Sequence, residues 1–460
     1  MTRRFYIETV GCQMNVLDSE LVAAALLAAG YEPADSPLQA DTILFNTCSV
    51  RQHAEDKVYS ALGRLREFKQ LQPDMVIGVI GCMAQKDQQQ IFKRAPHVDL
   101  VVGPGQLAQL PALLERIAAG RGPQIEVSLD RKAGKRTAIQ ESFALYDPQR
   151  AAAARPGRAQ AMVRIMLGCD KFCTYCIVPS VRGPEQSRPP EEIEAEVRQL
   201  IDQGCLEVTL LGQTVNSYQA VSGGRTVRLS DLLARLDAIP GLRRLKFVTN
   251  YPRHMTHDLL EAVRDLPRVS PYLHVPAQSG SDRMLERMKR GYTVGQYRQM
   301  HDEIRQVVPH AAVTSDFIVG FCGETEEDFQ ATVRLVQDLR FKNSFIFKYS
   351  TRPGTKAAEL MADDVPEEVK RRRNNELLAV QNAISEEDSL PLVGQTLEIL
   401  VEGPSKTSLK RAEEGPVVQL TGRDACDRIV VFEGPRELIG TIVSLRITEA
   451  NPFTLFGRPL

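Results

Sequence analysis

Three of the nine cysteines in this 460-residue chain stand in the run Gly168-Cys169-Asp170-Lys171-Phe172-Cys173-Thr174-Tyr175-Cys176, a C-x3-C-x2-C spacing directly after an apolar run that reads as a strand. Three soft thiolates in so short a loop can wrap three corners of an iron–sulfur cube, and the missing fourth ligand leaves one iron open to a substrate or cofactor. Two other uses of these thiols remain open. A structural zinc would want a fourth ligand, and no His or Cys lies within about 25 residues on either side. A C-x-x-C redox pair would leave Cys169 without a role.

Cys12, Cys48 and Cys82 are 36 and 34 residues apart, a spacing that means nothing in isolation. Their placement means more, because each follows an apolar run by one or two residues: RFYIETV before Cys12, TILFN before Cys48 and MVIGVI before Cys82. If those runs are parallel strands of one sheet, the three thiols emerge at its carboxyl edge, where open α/β sheets bind ligands. Gly11, Thr47 and Gly81 are small neighbours that let the backbone come close to a bulky group. The plain alternative is that a free Cys is a common small buried hydrophobe. Cys205 and Cys426 lack such placement and read as structural.

Around these sites the composition is that of a globular protein: 43% hydrophobic, 25% charged and a net charge of −1. No whole-protein field marks a nucleic-acid binder, so a polyanion would have to meet a local patch. No apolar run approaches the ~18 residues that span a bilayer, and the first residues read as a strand rather than a signal peptide, so the expectation is a cytoplasmic protein with no membrane contact. In that compartment thiols stay reduced, and nine cysteines point to metal or redox chemistry rather than disulfides.

The length suggests roughly three domains. Residues 1–122 alternate strands (Arg4–Val10, Thr42–Asn46, Met75–Ile80, Asp99–Val102) with helices, including Ser19–Ala29 capped by Asp18 or Ser19, and Ala54–Phe68: a parallel α/β domain. Residues 123–160 lose this rhythm and read as a linker with a net charge near +3, from Arg131, Lys132, Lys135, Arg136, Arg150, Arg155 and Arg158 against four acids. Residues 161–390 repeat the βα unit about six times, with strands Val163–Leu167, Glu207–Leu211, Leu245–Thr249, Tyr272–Val275, Val313–Val319 and Ser344–Tyr349, which predicts a partial (β/α)6 barrel open on one side. The loop of Cys169, Cys173 and Cys176 follows its first strand, on the face where such barrels keep active sites. A charged helix near Pro366–Glu387 precedes residues 391–458, which read as a small antiparallel β-barrel.

The C-x3-C-x2-C motif with an aromatic, Tyr175, before its last Cys resembles the signature of radical S-adenosylmethionine enzymes. Together with the three-Cys α/β domain and the terminal β-domain, called TRAM in that family, the whole chain is similar to the methylthiotransferases. The resemblance implies two 4Fe-4S clusters, one on Cys169, Cys173 and Cys176 that cleaves S-adenosyl-L-methionine to a radical, and an auxiliary one on Cys12, Cys48 and Cys82 that supplies sulfur. Gly11-Cys12-Gln13-Met14-Asn15, Asn46-Thr47-Cys48-Ser49-Val50-Arg51, Gly212-Gln213-Thr214-Val215-Asn216-Ser217-Tyr218 and Tyr349-Ser350-Thr351-Arg352-Pro353-Gly354-Thr355 are most similar to the branch that methylthiolates carbon 2 of N(6)-dimethylallyladenosine beside the anticodon of tRNA. Sister enzymes act on threonylcarbamoyl-adenosine tRNA or on a ribosomal-protein aspartate, and a non-catalytic iron–sulfur electron carrier is a reading from another class. The pattern SDFIVGFCGET departs from the family by placing Cys322 where Pro is common, a chance thiol or one that touches cofactor.

For S-adenosyl-L-methionine the candidates are polar residues just after strands on the same face: Gln213, Asn216, Gln278, Ser279 and Arg352, with the Tyr175 backbone for adenine. Each of these could instead be a loop or cap residue, and Asp316 a polar group internal to the barrel. The expected partners are the tRNA anticodon stem-loop, an electron donor such as flavodoxin or ferredoxin, and iron–sulfur assembly or sulfur-donor proteins, acting on a monomer. For tRNA phosphates the terminal barrel offers eight Lys/Arg against nine Asp/Glu, and Lys289–Arg290 and Lys370–Arg373 are further cations.

Overall fold

The structure, a computed structural model, describes residues 3–49, 52–127 and 159–460. The first unit is a parallel sheet in which Glu32–Pro33, Arg4–Val10, Thr42–Thr47, Val76–Gly81, Leu100–Val102 and Gln124–Glu126 lie side by side in that order. Thr42–Thr47 is buried throughout, as a strand covered on both faces must be. Leu17, Leu21 and Leu26 of helix Gln13–Ala28 close one face, and Val58, Leu62 and Leu65 of helix Gln52–Leu71 the other. The chain reverses its direction across the sheet between Arg4–Val10 and Thr42–Thr47, the topological switch point where ligands of doubly wound sheets sit.

Two features of this unit differ from expectation. The first helix starts at Gln13, directly behind Cys12, instead of being capped at Asp18 or Ser19. Its extra turn is anchored by two polar side chains: Asn15 accepts from the Cys12 backbone N–H, and Asp18 is buried against arginines of the next unit. The strand Gln124–Glu126 adds to the sheet edge, so the first unit extends past residue 122. Residues 128–158, with all seven linker cations, lie outside the described residues.

The second unit has six parallel strands in two groups, Gln160–Arg164, Glu207–Leu211 and Arg244–Phe247, then Tyr272–His274, Ala312–Val319 and Asn343–Lys348. Helices such as Pro190–Asp202, Val294–Val307 and Glu326–Leu339 pack outside them around Phe247, Phe317, Phe329 and Phe341. Among the described residues Asn343–Lys348 pairs with one neighbour only, which leaves the barrel open along that edge. An unanticipated hairpin, Gln219–Ser222 with Arg225–Arg228, turns on Gly223 and Gly224 at φ of 56° and 76°, the left-handed geometry that a Gly-Gly turn supplies. Helix Glu367–Ser389 carries the Lys370–Arg373 run, half of it inward: Lys370 is buried on Asp363 and Arg373 on Glu324, so neither is a surface cation.

The third unit is a closed five-stranded barrel of Thr396–Pro404, Val417–Arg423, Ile429–Pro435, Thr454–Pro459 and Ile442–Ala450, filled by Ile399, Leu420, Phe432 and Leu445. It sits on the amino ends of the second unit's strands. There Arg244 donates to the carbonyls of Arg423 and Glu398 at 2.7 and 2.6 Å, and Lys246 pairs with Asp427 at 3.0 Å. The opposite, carboxyl face is left to the cysteines. Among the described residues no helix is long and apolar enough to cross a membrane.

Candidate active site

Cys12, Cys48 and Cys82 converge at the switch point of the first sheet. Cys12 is exposed, whereas Cys48 and Cys82 are buried. The crossing of their loops is pinned by Asn15 and Asn46: Asn15 Nδ2 donates to Asn46 Oδ1 at 2.9 Å, and Asn46 Nδ2 donates to the Asn15 carbonyl at 2.8 Å and to Ser19 Oγ at 2.9 Å. The adjoining glycines are required by this crowding. A Cβ on Gly11 would lie 2.5 Å from Asn15 Oδ1, and Gly81 combines a φ of +88° with a Cβ position 2.4 Å from Asn46 Oδ1.

The thiols are electrostatically tied. A hydrogen bond with Cys48 pulls the Cys12 thiol down to about 6, against desolvation by the protein packed around its sulfur and with help from the charge of Arg182. Burial pushes the Cys82 thiol up, and Arg182 opposes it. Cys12 caps helix Gln13–Ala28 and Cys82 begins helix Cys82–Asp87, positions whose free N–H groups favour thiolates.

Cys169, Cys173 and Cys176 ride a loop held from below. Thr174 N donates to the Met288 carbonyl, and Thr174 Oγ to that of Arg287. Gly168 has a φ of +77° and a Cβ position 2.0 Å from the Pro184 carbonyl oxygen, so no other residue fits ahead of Cys169. Burial raises the Cys169 thiol to about 11 and the Cys176 thiol to about 12, and the neighbouring thiolates add to both shifts. The Cys169 and Cys176 sulfurs, which resist ionisation, are stabilised as thiolates by a cation placed beside them. Soft thiolates that repel one another until metal arrives are the donor set iron–sulfur clusters take. Buried Arg290, from the loop after Asp282–Arg287, donates to Cys173 Sγ at 3.2 Å and to Tyr175 Oη at 3.3 Å, with Tyr251 and Tyr292 beside its guanidinium. Among the described residues no group of three or more His, Cys, Asp or Glu is gathered for a single metal ion.

A cavity of about 770 Å³ opens beside this loop. Tyr175, Cys176, Gln278, Asp316, Phe347 and Arg352 are among its lining, with Asp56 from the first unit. Gln278 holds a φ of 73°, a left-handed backbone that a non-glycine residue rarely adopts. Arg352 reaches toward the other trio: burial disfavours its charge, and Glu55, Cys48 and Asp56 offset that.

The remaining expected cofactor residues lie elsewhere. Asn216 braces a loop, exchanging hydrogen bonds with both backbone groups of Tyr251, and lines a separate small pocket. Ser279 is buried on Thr332. Gln213 lies outside the cavity lining and keeps its Oε1 buried without a partner. Cys322 packs with Met284, Met288, Phe321 and Tyr349 as a small hydrophobe, and Cys205 is buried in the barrel core. Of the terminal-barrel cations, Arg423 and Arg428 are paired with Asp427 and Asp424, while Lys406, Lys410, Arg411 and Arg458 are exposed. Sequence reasoning named neither Arg182 nor Asn46 as site groups and placed Arg290 only among candidate phosphate cations. The Asn-Thr-Cys and Gly-Cys-x-x-Asn runs were the signal for the asparagines.

Three family models match the chain: Uncharacterized protein family UPF0004 over residues 4–103, the Radical SAM superfamily over 163–336 and the TRAM domain over 392–460. The tRNA-2-methylthio-N(6)-dimethylallyladenosine synthase of Rhodopirellula baltica is 58% identical over 100% of this chain and 96% of its own length. The protein of the same name from Acidovorax sp. is 47% identical over 99% and 97%. Among solved structures, the radical S-adenosylmethionine methyltransferase TsrM from Kitasatospora setae, with cobalamin and a [4Fe-4S] cluster bound, shares the fold at a TM-score of 0.54 and 15% identity, over 78% of this chain and 74% of that one.

Proposed function

This chain belongs to the family of tRNA-2-methylthio-N(6)-dimethylallyladenosine synthases, and on that premise we propose that it replaces the hydrogen on carbon 2 of N(6)-dimethylallyladenosine next to the tRNA anticodon with a methylthio group. One observation supports this reading above the others: a single cavity is lined by Cys176 of one trio and by Arg352, whose charge feels Cys48 of the other. An electron carrier has no use for such a cavity.

Cys169, Cys173 and Cys176 would hold a 4Fe-4S cluster with one open iron, and Cys12, Cys48 and Cys82 the auxiliary one. When bound, these clusters and S-adenosyl-L-methionine supply a carbon radical able to act on an unactivated aromatic C–H, together with sulfur and a methyl group. The chain's own residues do the positioning. Arg290 holds Cys173 and Tyr175 in place; Tyr175, Gln278 and Arg352 line the cavity that would take the cofactor, and its apolar lining of Ile318, Ile346 and Phe347 would keep water from the base. Exposed Lys406, Lys410, Arg411 and Arg458 offer phosphate contacts to the anticodon stem-loop. A flavodoxin or ferredoxin would deliver electrons and a sulfur-donor protein would restore the auxiliary cluster, in a cytoplasmic monomer.

Nucleoside mass spectrometry of tRNA from a deletion strain tests the reading. Loss of the 2-methylthio group from isopentenylated adenosine alone, restored by this chain, supports it; an unchanged nucleoside profile overturns it.

A further inference from the structure

Arg182 belongs to the unit that carries Cys169, Cys173 and Cys176, yet its guanidinium is buried in the other trio's site. Nη2 donates to Asp18 Oδ2 at 2.7 Å, across 164 residues of sequence. The preceding Val181 packs with Cys82 in an apolar cluster, and the guanidinium lies close enough to Cys82 and Cys12 to act on both sulfurs. Its Nη1 is buried with no partner in good hydrogen-bond geometry, although the guanidinium lies against the Cys82 sulfur. A buried N–H left in that state is costly, so a partner is to be expected beside it. Asp18 also faces Arg164 at 3.7 Å, so two guanidiniums share one carboxylate beside the sulfurs.

We propose that Arg182 is a positioning residue for the auxiliary cluster, donating Nη1 to a sulfur of that cluster and raising its reduction potential, so that the radical-generating unit sets the electron affinity of the sulfur-supplying one. This rests on the reading that Cys12, Cys48 and Cys82 hold a cluster. Hydrogen bonds to sulfur and net local charge are the protein's main levers on an iron–sulfur potential, and a cationic donor favours the reduced form. Asp18 opposes that charge. The two substitutions Arg182→Gln and Asp18→Asn therefore move the potential in opposite directions, whereas a general loosening of the interface would move both the same way.

The experiment uses the full chain with Cys169, Cys173 and Cys176 changed to Ala, reconstituted without oxygen, iron counted, and titrated by paramagnetic resonance against applied potential. Arg182→Gln is expected to lower the reduced-to-oxidised ratio at the parent midpoint at least tenfold, a shift of about 59 mV for one electron. Arg182→Lys should fall between the two, and Asp18→Asn should raise the midpoint. An unmoved midpoint in Arg182→Gln, or a shift of the same sign in Asp18→Asn, overturns the proposal. If Arg182→Gln takes up no iron, the Asp18→Asn midpoint decides alone: a rise supports the role and no rise overturns it. A parent background that takes up no iron overturns the underlying reading of the three cysteines instead.

Discussion

Cys82, from the first sheet, packs against Ile177, the residue after Cys176, in one buried cluster completed by Val181. The helix Cys82–Asp87 and the short helix Val178–Val181 thereby hold the carboxyl faces of two separate α/β units against each other. Rigid contact matters for a reaction that needs both trios at one substrate, because effective concentration depends on geometry held to within an ångström or so.

The two trios should be separable by mutation. Cys169→Ala removes a ligand beside the cavity and is expected to abolish 5′-deoxyadenosine formation from S-adenosyl-L-methionine and dithionite. Cys12→Ala leaves that loop and its Arg290 support untouched, so deoxyadenosine should still form while thiolation stops. Chromatography of reconstituted reactions distinguishes the cases, and identical behaviour of the two variants would sink the division of labour.

Asn46→Ala deletes one amide that makes three hydrogen bonds, two buried to the Asn15 side chain and carbonyl and one part-buried to Ser19. Leaving those partners unsatisfied should cost about 2–3 kcal/mol. The loss falls on the crossing that brings Cys12 to Cys48. Iron per chain should therefore drop by about half, with deoxyadenosine formation retained; full iron content after reconstitution would contradict the role given to Asn46.

Much of this architecture was legible because parallel strands buried on both faces must be near-continuous apolar runs, and TILFNT and VIGVIG carry that requirement openly, while RFYIETV, only part-buried, is the more mixed run. The cysteines were legible for the same reason: their positions are defined relative to strand ends. What escaped is what depends on long-range pairing. Asp18 reads as a helix cap, and only the arrival of Arg182 and Arg164 from the next unit makes it a buried counter-ion. Asn216 and Gln278 are equivalent by rule, each polar and just past a strand. Yet Asn216 is taken up by the Tyr251 backbone, while a left-handed twist at Gln278 turns that residue toward the cavity.

Glycine at 168 offers a steric test with an internal control. Gly30 also has positive φ, +84°, but open space around its Cβ position, so Gly30→Ala should cost only the left-handed strain of about 1–2 kcal/mol. Gly168→Ala adds a clash with the Pro184 carbonyl, a backbone atom that cannot turn aside, and should cost more than about 3 kcal/mol. It should also remove the iron held by Cys169, Cys173 and Cys176 while the other centre stays. Urea midpoints and iron counts on both variants check this, and equal costs would refute it.

Acid should destabilise the fold through His301. Burial and the charges of Arg305 and Arg298 lower its pKa from 6.5 to about 4, with Asp302 opposing. Its Nε2 is buried without a partner, and the ring meets Phe341 edge-on at 6.0 Å. Between pH 6.5 and 4 the unfolded chain therefore binds a proton that the folded chain does not, so stability rises with pH across this window and is lost as pH falls through it. The contribution is at most about 3.5 kcal/mol, since each tenfold difference in proton affinity between the folded and unfolded chain is worth about 1.4 kcal/mol. His301→Leu removes the proton and keeps the apolar contact with Phe341, so urea unfolding of the variant should lose one proton's worth of slope over that range. His254, lowered to about 4 by burial, Lys171 and Arg253, leaves a second such slope in place. An unchanged pH profile in His301→Leu would mean that the imidazole is charged or solvated in the folded protein.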